Sequence, residues 1–238
     1  MSRDNLLTKA AKWAYVKYYT NPRVQRLLIN QFTRLYYQTP VPVRTWHNTY
    51  WLGAQVLKCP FDLWNYQEIL TELKPDWVIE CGTASGGSAL YLASILQLLD
   101  CGKVISIDVN TASGRPTHER IEYLTGSSIS HEILTYLESQ VRASHKVMVI
   151  LDSDHRMDHV IREIELYSKF VSLHSYLIVE DTCINGHPVA PQFGPGPMEA
   201  VRRFLRNNSE FEADNRDSKF LMTFNPRGYL RRVKAKAL

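Results

Sequence analysis

The chain has no apolar run long enough to cross a membrane; the longest, Ala89 to Leu99, falls well short of the ~20 residues a span requires. Arg3, Lys9, Lys12 and Lys17 interrupt the positions where a secretory hydrophobic core would sit. The four cysteines, Cys59, Cys81, Cys101 and Cys183, form no CxxC pair, so neither a zinc ribbon nor a disulfide framework is indicated. Eleven glycines and eleven prolines in 238 residues are too few for a fibrous or low-complexity chain. GxGxxG is missing, and so is the Gly-Lys-Ser/Thr of a P-loop. These absences leave the expectation of a soluble, cytoplasmic globular protein without integral membrane association.

What is present fits that class: 45% of residues are hydrophobic and 22% charged. The net charge of +4 hides a pattern. Residues 1–50 carry eight Lys/Arg against one acid, residues 51–200 ten against nineteen, and residues 201–238 ten against four. An acidic middle suits metal or catalytic carboxylates, and basic flanks suit anionic partners or subunit contacts, although solvated helix faces would give the same counts.

The first 45 residues are rich in aromatic and basic side chains, with Trp13, Val16, Tyr19 and then Leu27, Leu28, Phe32 at helical spacing. Pro22 divides them into two helices, and Pro40-Val-Pro42 marks a linker. We expect an N-terminal helical segment, residues 1–45, packed on the main domain (46–238) or on another subunit, hence a homo-oligomer. A basic surface element lying on a membrane is the weaker alternative.

From residue 63 the pattern becomes regular. A helix is expected over Leu63–Leu73, and continuous apolar runs recur at Trp77–Cys81, Val104–Asp108, Val147–Asp152 and Tyr176–Asp181. A weaker run lies at Ile121–Gly126. Runs without alternation are those of strands buried on both faces of a parallel sheet. Helical patterns at Ser88–Leu99, Ser130–Val141 and Asp158–Phe170 separate them, which predicts an α/β fold with a Rossmann-like, mostly parallel sheet. Phe220–Phe224, a turn at Asn225–Gly228 and Tyr229–Val233 predict a C-terminal antiparallel hairpin.

In such sheets ligands bind beyond the C-terminal strand ends. There the sequence places Glu80, Asp108, Asp152 and the pair Glu180-Asp181. The first turn, Glu80-Cys-Gly82-Thr83-Ala-Ser-Gly86-Gly87-Ser88, offers glycines for close approach of a ligand and a serine placed to cap the next helix. Together with Asp108 it suits a nucleoside whose ribose hydroxyls bond to a carboxylate, though any tight strand-to-helix turn could use such glycines. Asp152, Glu180 and Asp181 could surround a hard cation, Mg²⁺, Mn²⁺ or Ca²⁺, because three carboxylates on adjacent strands repel one another without a cation or a basic partner. His155, three residues after Asp152, has the chemistry of a general base. His187, in a long loop at 184–197, is the other histidine of interest.

Several of these segments carry a resemblance. Lys58-Cys-Pro-Phe-Asp-Leu-Trp-Asn-Tyr-Gln-Glu68, Val78–Ser88, Leu151-Asp-Ser-Asp-His155, Val179-Glu-Asp181, Gly194-Pro-Gly-Pro-Met-Glu-Ala-Val201 and Lys219–Tyr229 resemble the cephalosporin hydroxylase/rhamnosyl O-methyltransferase family. The match covers roughly residues 50–233. It implies a class I fold, S-adenosyl-L-methionine as methyl donor and a Mg²⁺ site on Asp152, Glu180 and Asp181, with His155 as base. Glu80, Gly82, Thr83, Gly86, Gly87, Ser88 and Asp108 would then hold the donor, with Gly126 and Ser127 bordering its adenine. The acceptor would be a glycan or a small hydroxylated metabolite, not a nucleic acid. The all-carboxylate cluster fits methyl transfer better than an iron oxygenase's two histidines and one carboxylate. The alternatives are a NAD-dependent oxidoreductase on the same sheet, or a non-catalytic nucleotide- or nucleic-acid-binding protein.

Overall fold

The computed structural model describes residues 3–39 and 45–235. The expected Pro40-Val-Pro42 linker lies outside them. Two helices come first, α1 (Arg3–Tyr19) and α2 (Pro22–Gln38), with the Asn21 side chain accepting from Arg23 N at 2.9 Å to cap the second. Helix α1 packs along α2, and its Trp13, Tyr15 and Tyr18 are exposed. The C-terminal half of α2 meets the body of the protein, where Tyr36 and Tyr37 rest against Phe224 and Arg34 Nε donates to Pro188 O at 3.1 Å.

A short ribbon, β1 (Tyr50–Trp51) and β2 (Ala54–Gln55), leads into α3 (Pro60–Leu73). The helix begins earlier than expected because Pro60 supplies a preset φ at its first position. It ends where Lys74 turns left-handed and its N–H bonds to Leu70 O at 2.8 Å. Then come β3 (Trp77–Cys81), α4 (Gly87–Leu98), β4 (Lys103–Asp108), β5 (Ile121–Thr125), α5 (His131–Gln140), β6 (Val147–Leu151), α6 (Met157–Tyr167) and β7 (Tyr176–Val179). Finally α7 (Pro197–Asn207), β8 (Phe211–Ala213) and β9 (Tyr229–Arg232) close the chain.

Seven strands form one sheet in the order β5-β4-β3-β6-β7-β9-β8, parallel except for β9, which runs antiparallel to both neighbours. Successive strand residues point to opposite faces. Ile79, Ile105, Val149 and Leu177 pack towards α5, α6 and α7, while Val78, Val104, Met148 and Ile178 pack towards α3 and α4. Each such residue, fully buried, contributes about 1.5–3 kcal/mol of transfer free energy.

The antiparallel C-terminal strands are present, but the first of them is not where the sequence placed it. Residues 220–224 form no strand, and β9 pairs instead with β8, Glu212 opposite Arg231. The reason is Asp62 at the start of α3. Its buried carboxylate accepts from Thr223 Oγ1 (2.5 Å), Phe224 N (2.8 Å) and Tyr229 Oη (2.7 Å). Met222 and Phe224 meanwhile bury their side chains with Cys59, Cys183, Ile184 and Val189. The segment is thus held as a loop against α3 and the chain that follows β7.

Candidate active site

A cavity of about 600 Å³ opens beyond the C-terminal ends of β3 to β7, where an open α/β sheet places ligands. One side is the β3–α4 turn. Gly82, Thr83, Ser88, Asp108, Gly126 and Ser127 line the cavity; Glu80, Gly86 and Gly87 do not. Glu80 is fully buried below the turn, where its Oε2 accepts from Ser106 Oγ at 2.7 Å and its Oε1 has no hydrogen-bond partner. Burial pushes its carboxyl above the usual range, with Lys58 pulling the other way.

Two of the turn's glycines are required by close packing of the chain on itself. A Cβ on Gly82 would lie 1.9 Å from the Asp152 carbonyl oxygen, and one on Gly87 would lie 2.1 Å from that of Gln55. Ser88 is not a cap, since α4 starts one residue before it, and its side chain is buried at the cavity edge. Asp108 locks the turn: Oδ2 accepts from Thr83 N (3.1 Å) and Ala84 N (2.9 Å), and Oδ1 from Asn110 N (2.8 Å).

The other side is built on the ends of β6 and β7. Ligand atoms of Asp152, His155 and Asp181 lie within 4.8 Å of one another, and all three residues line the cavity. His155 Nε2 sits 3.3 Å from Asp181 Oδ2. Burial pushes the Asp181 carboxyl up to about 6, even though the neighbouring His155 pulls it down.

Glu180, expected in that cluster, lies below it. Its Oε1 accepts from Lys58 Nζ at 2.5 Å and from Tyr66 Oη at 2.9 Å, and it does not line the cavity. Lys58, whose ammonium was not foreseen at the site, also donates to Asp152 Oδ2 at 2.7 Å. Burial alone would lower the Lys58 pKa, but Asp152, Glu180 and Glu80 more than reverse this and keep the ammonium charged. The basic partner that three clustered carboxylates demand is therefore part of the chain.

Two loops of the cavity are tied by one buried side chain. Glu163 Oε1 accepts from Ser128 Oγ (2.5 Å), after β5, and from Ser153 Oγ (2.7 Å), after β6. His159 stands 3.3 Å from the same oxygen. His187 takes no part in the cavity; its Nε2 meets Glu199 Oε1 at 2.8 Å near the start of α7.

A seven-stranded sheet of this order, with its cavity at the β3–α4 turn, defines the chain as a class I methyltransferase domain. The solved structures agree on the fold. The apo structure of CmcI aligns with TM-score 0.60 and 23% identity, covering 84% of each chain. The O-methyltransferase TomG of Streptomyces achromogenes aligns with TM-score 0.53 and 16% identity, over 87% of this chain and 89% of that one. The Rhamnosyl O-methyltransferase/CmcI family profile matches residues 43–233. A rhamnosyl O-methyltransferase of Mycobacterium bovis is 40% identical over 193 residues, 78% of each chain. That of Mycobacterium leprae is 39% identical over 194 residues, 78% of this chain and 83% of that one. The chain belongs to the rhamnosyl O-methyltransferase/CmcI family and is an S-adenosylmethionine-dependent O-methyltransferase. That membership overturns the oxidoreductase and nucleic-acid alternatives.

Proposed function

We propose that the enzyme methylates a hydroxyl of a sugar with the help of Mg²⁺ held by Asp152 and Asp181. The observation that carries this reading is the cluster of Asp152, His155 and Asp181 in the same cavity as the Gly82–Ala84 turn. The sugar is suggested by the curated relatives, which are rhamnosyl O-methyltransferases. Carboxylate oxygens beside one imidazole make a donor set that fits Mg²⁺ or Mn²⁺.

When bound, the donor supplies an activated methyl on a sulfonium, and the cation lowers the pKa of a hydroxyl that it ligates. The chain does the rest. Thr83, Ser88, Asp108 and the Gly126-Ser127 corner surround the donor's nucleoside, with the Asp108 carboxylate fixing the turn that approaches it. Asp152 is held in place by Lys58 at 2.7 Å. With its Nε2 turned to Asp181 at 3.3 Å, His155 takes the acceptor proton on Nδ1, and Asp181 stabilises the resulting imidazolium. A second reading makes His155 a metal ligand, because its ring nitrogen lies within 4.8 Å of a carboxylate oxygen of both Asp152 and Asp181.

The helices α1 and α2 then form an appendage to the catalytic domain that follows. The exposed Trp13, Tyr15 and Leu27 on α1 and α2 are the surface on which copies assemble. No described helix is long and apolar enough to cross a membrane.

The test is mass spectrometry of an aryl rhamnoside incubated with the protein and S-adenosylmethionine, with Mg²⁺ or with EDTA. A mass gain of one methyl group that EDTA abolishes supports the reading. A gain that survives chelation removes the metal, and no gain on any glycoside removes the sugar.

A further inference from the structure

Residues 220–228 form no strand, yet they hold the end of β7 and the turn after it at several points. Val179 N donates to Gly228 O at 2.9 Å, and Cys183 N donates to Phe224 O at 3.0 Å. Thr182 Oγ1 donates to Pro226 O at 2.7 Å. On the other flank Glu180 N is taken by Leu151 O of β6 at 3.0 Å. The N–H of Asp181 is met by a side chain instead, Asn225 Oδ1 at 2.9 Å.

Asp181 is where the backbone needs holding. Its φ of 53° is left-handed, a conformation that is unfavourable for a residue with a Cβ and persists where the surroundings impose it. At this turn two neighbouring carboxylates part company. Glu180 goes down to Lys58 and Tyr66, while Asp181 reaches the cavity and brings its Oδ2 to 3.3 Å from His155 Nε2. Asn225 is fully buried and is itself pinned. Its N–H donates to Thr223 Oγ1 at 2.8 Å, and its Nδ2 donates to Tyr66 Oη at 3.1 Å. The network also settles which way the amide faces. The Asp181 N–H requires an acceptor, and Tyr66 Oη, whose proton goes to Glu180, requires a donor.

We infer that Asn225 is a positioning residue for methyl transfer: by accepting from the Asp181 N–H it sets the left-handed turn that presents the Asp181 carboxylate to His155 and to the cation. The inference rests on the reading of Asp152 and Asp181 as metal carboxylates. Asn225 does not line the cavity, so it acts through the residues it holds. Without its side chain the Asp181 N–H loses its acceptor, and the turn is free to relax to a commoner backbone conformation that carries the carboxylate away from His155.

The experiment titrates Mn²⁺ into the whole chain and follows the free ion by electron paramagnetic resonance. Wild type, Asn225→Ala, Asn225→Ser, Tyr66→Phe and Asp181→Ala are compared, with S-adenosylhomocysteine affinity measured by calorimetry alongside. Asn225→Ala is expected to weaken Mn²⁺ binding by ~10- to 100-fold, the scale seen when a partner that orients a metal ligand is lost. Its S-adenosylhomocysteine affinity should stay as in wild type. Tyr66→Phe removes the other hydrogen bond of the same amide and spares the one to Asp181, so it should weaken Mn²⁺ binding much less. Serine keeps a hydroxyl at the buried position but is one bond too short to reach the Asp181 N–H. Asn225→Ser should therefore behave like Asn225→Ala, and it decides the matter if the alanine variant does not fold. Unchanged Mn²⁺ affinity in the Asn225 variants, while Asp181→Ala loses the ion, overturns the positioning role and leaves the metal reading standing. An equal loss in Tyr66→Phe also overturns it, because the network at large would then hold the turn rather than the one bond. If wild type binds no Mn²⁺, or Asp181→Ala binds it as tightly, the metal reading fails and the positioning role fails with it.

Discussion

The two sides of the cavity end their strands in the same way and use the ends differently. At β3 and β4, Glu80 is sealed inside the protein and Asp108 accepts three backbone N–H groups. At β6 and β7, Asp152 and Asp181 keep oxygens on the cavity wall, and it is Glu180 that is spent below, on Lys58 and Tyr66. An acid at a strand end is thus tied into the fold on one side and left facing the cavity on the other. Hydrogen-bond accounting separates the two; position in the sequence does not.

The sharpest way to break this comparison is His155→Ala. Loss of a positioned base lowers kcat by ~10²–10⁴-fold, while donor affinity by calorimetry stays as in wild type. If Mg²⁺ affinity falls instead and kcat at saturating metal is unchanged, His155 is a ligand. Next in size is Lys58→Met, which strands two carboxylates beneath the reactive side. Removing one member of a buried ion pair costs ~3–5 kcal/mol, read by urea unfolding. The double variant Lys58→Met/Glu180→Gln should recover part of that loss, and no recovery would mean that Glu180 is not the partner that matters.

On the scaffold side, Asp108→Asn should weaken S-adenosylhomocysteine binding by roughly 1.5–3 kcal/mol, the scale of hydrogen bonds to a charged group. An unaltered affinity would confine Asp108 to holding its own turn. The smallest effect belongs to His159, whose pKa is raised, chiefly by its hydrogen bond to Glu163 and against the effect of burial. A raised value means that the native state holds the proton more tightly than the unfolded chain. The contribution is complete below about pH 6.5 and disappears as pH rises through the native pKa. His159→Gln should therefore lower Tm more at acid pH than at alkaline pH; a difference from wild type that does not vary with pH would refute the pairing.

Much of this was legible in the sequence. The run at Val147–Leu151 is apolar throughout, as expected of a strand in a sheet covered on both faces, and that at Trp77–Cys81 is broken only by Glu80. The weaknesses are as instructive. Glu180 and Asp181 are adjacent in the turn after β7, and Glu180 is drawn below the cluster by Lys58 and Tyr66, partners more than a hundred residues away in sequence. Lys58 stood in view as a lone lysine between Leu57 and Cys59, but nothing local tells a buried ammonium from a surface one. The segment 220–224 had strand-like composition and lost its partner to Asp62, a contact made across 161 residues of sequence. Long-range competition of that kind is invisible to periodicity.

The fit of Gly82 against Asp152 has a consequence for anyone redesigning the enzyme. The β3–α4 turn at Gly82 and the end of β6 at Asp152 meet with no room for one carbon atom, 1.9 Å where a methyl would stand. Enlarging the donor pocket from below would shove Asp152 out of alignment, so the two halves cannot be retuned one at a time at this seam. Changes aimed at bulkier donor analogues belong instead at Ala84 and Val109, where the cavity rim is open to solvent.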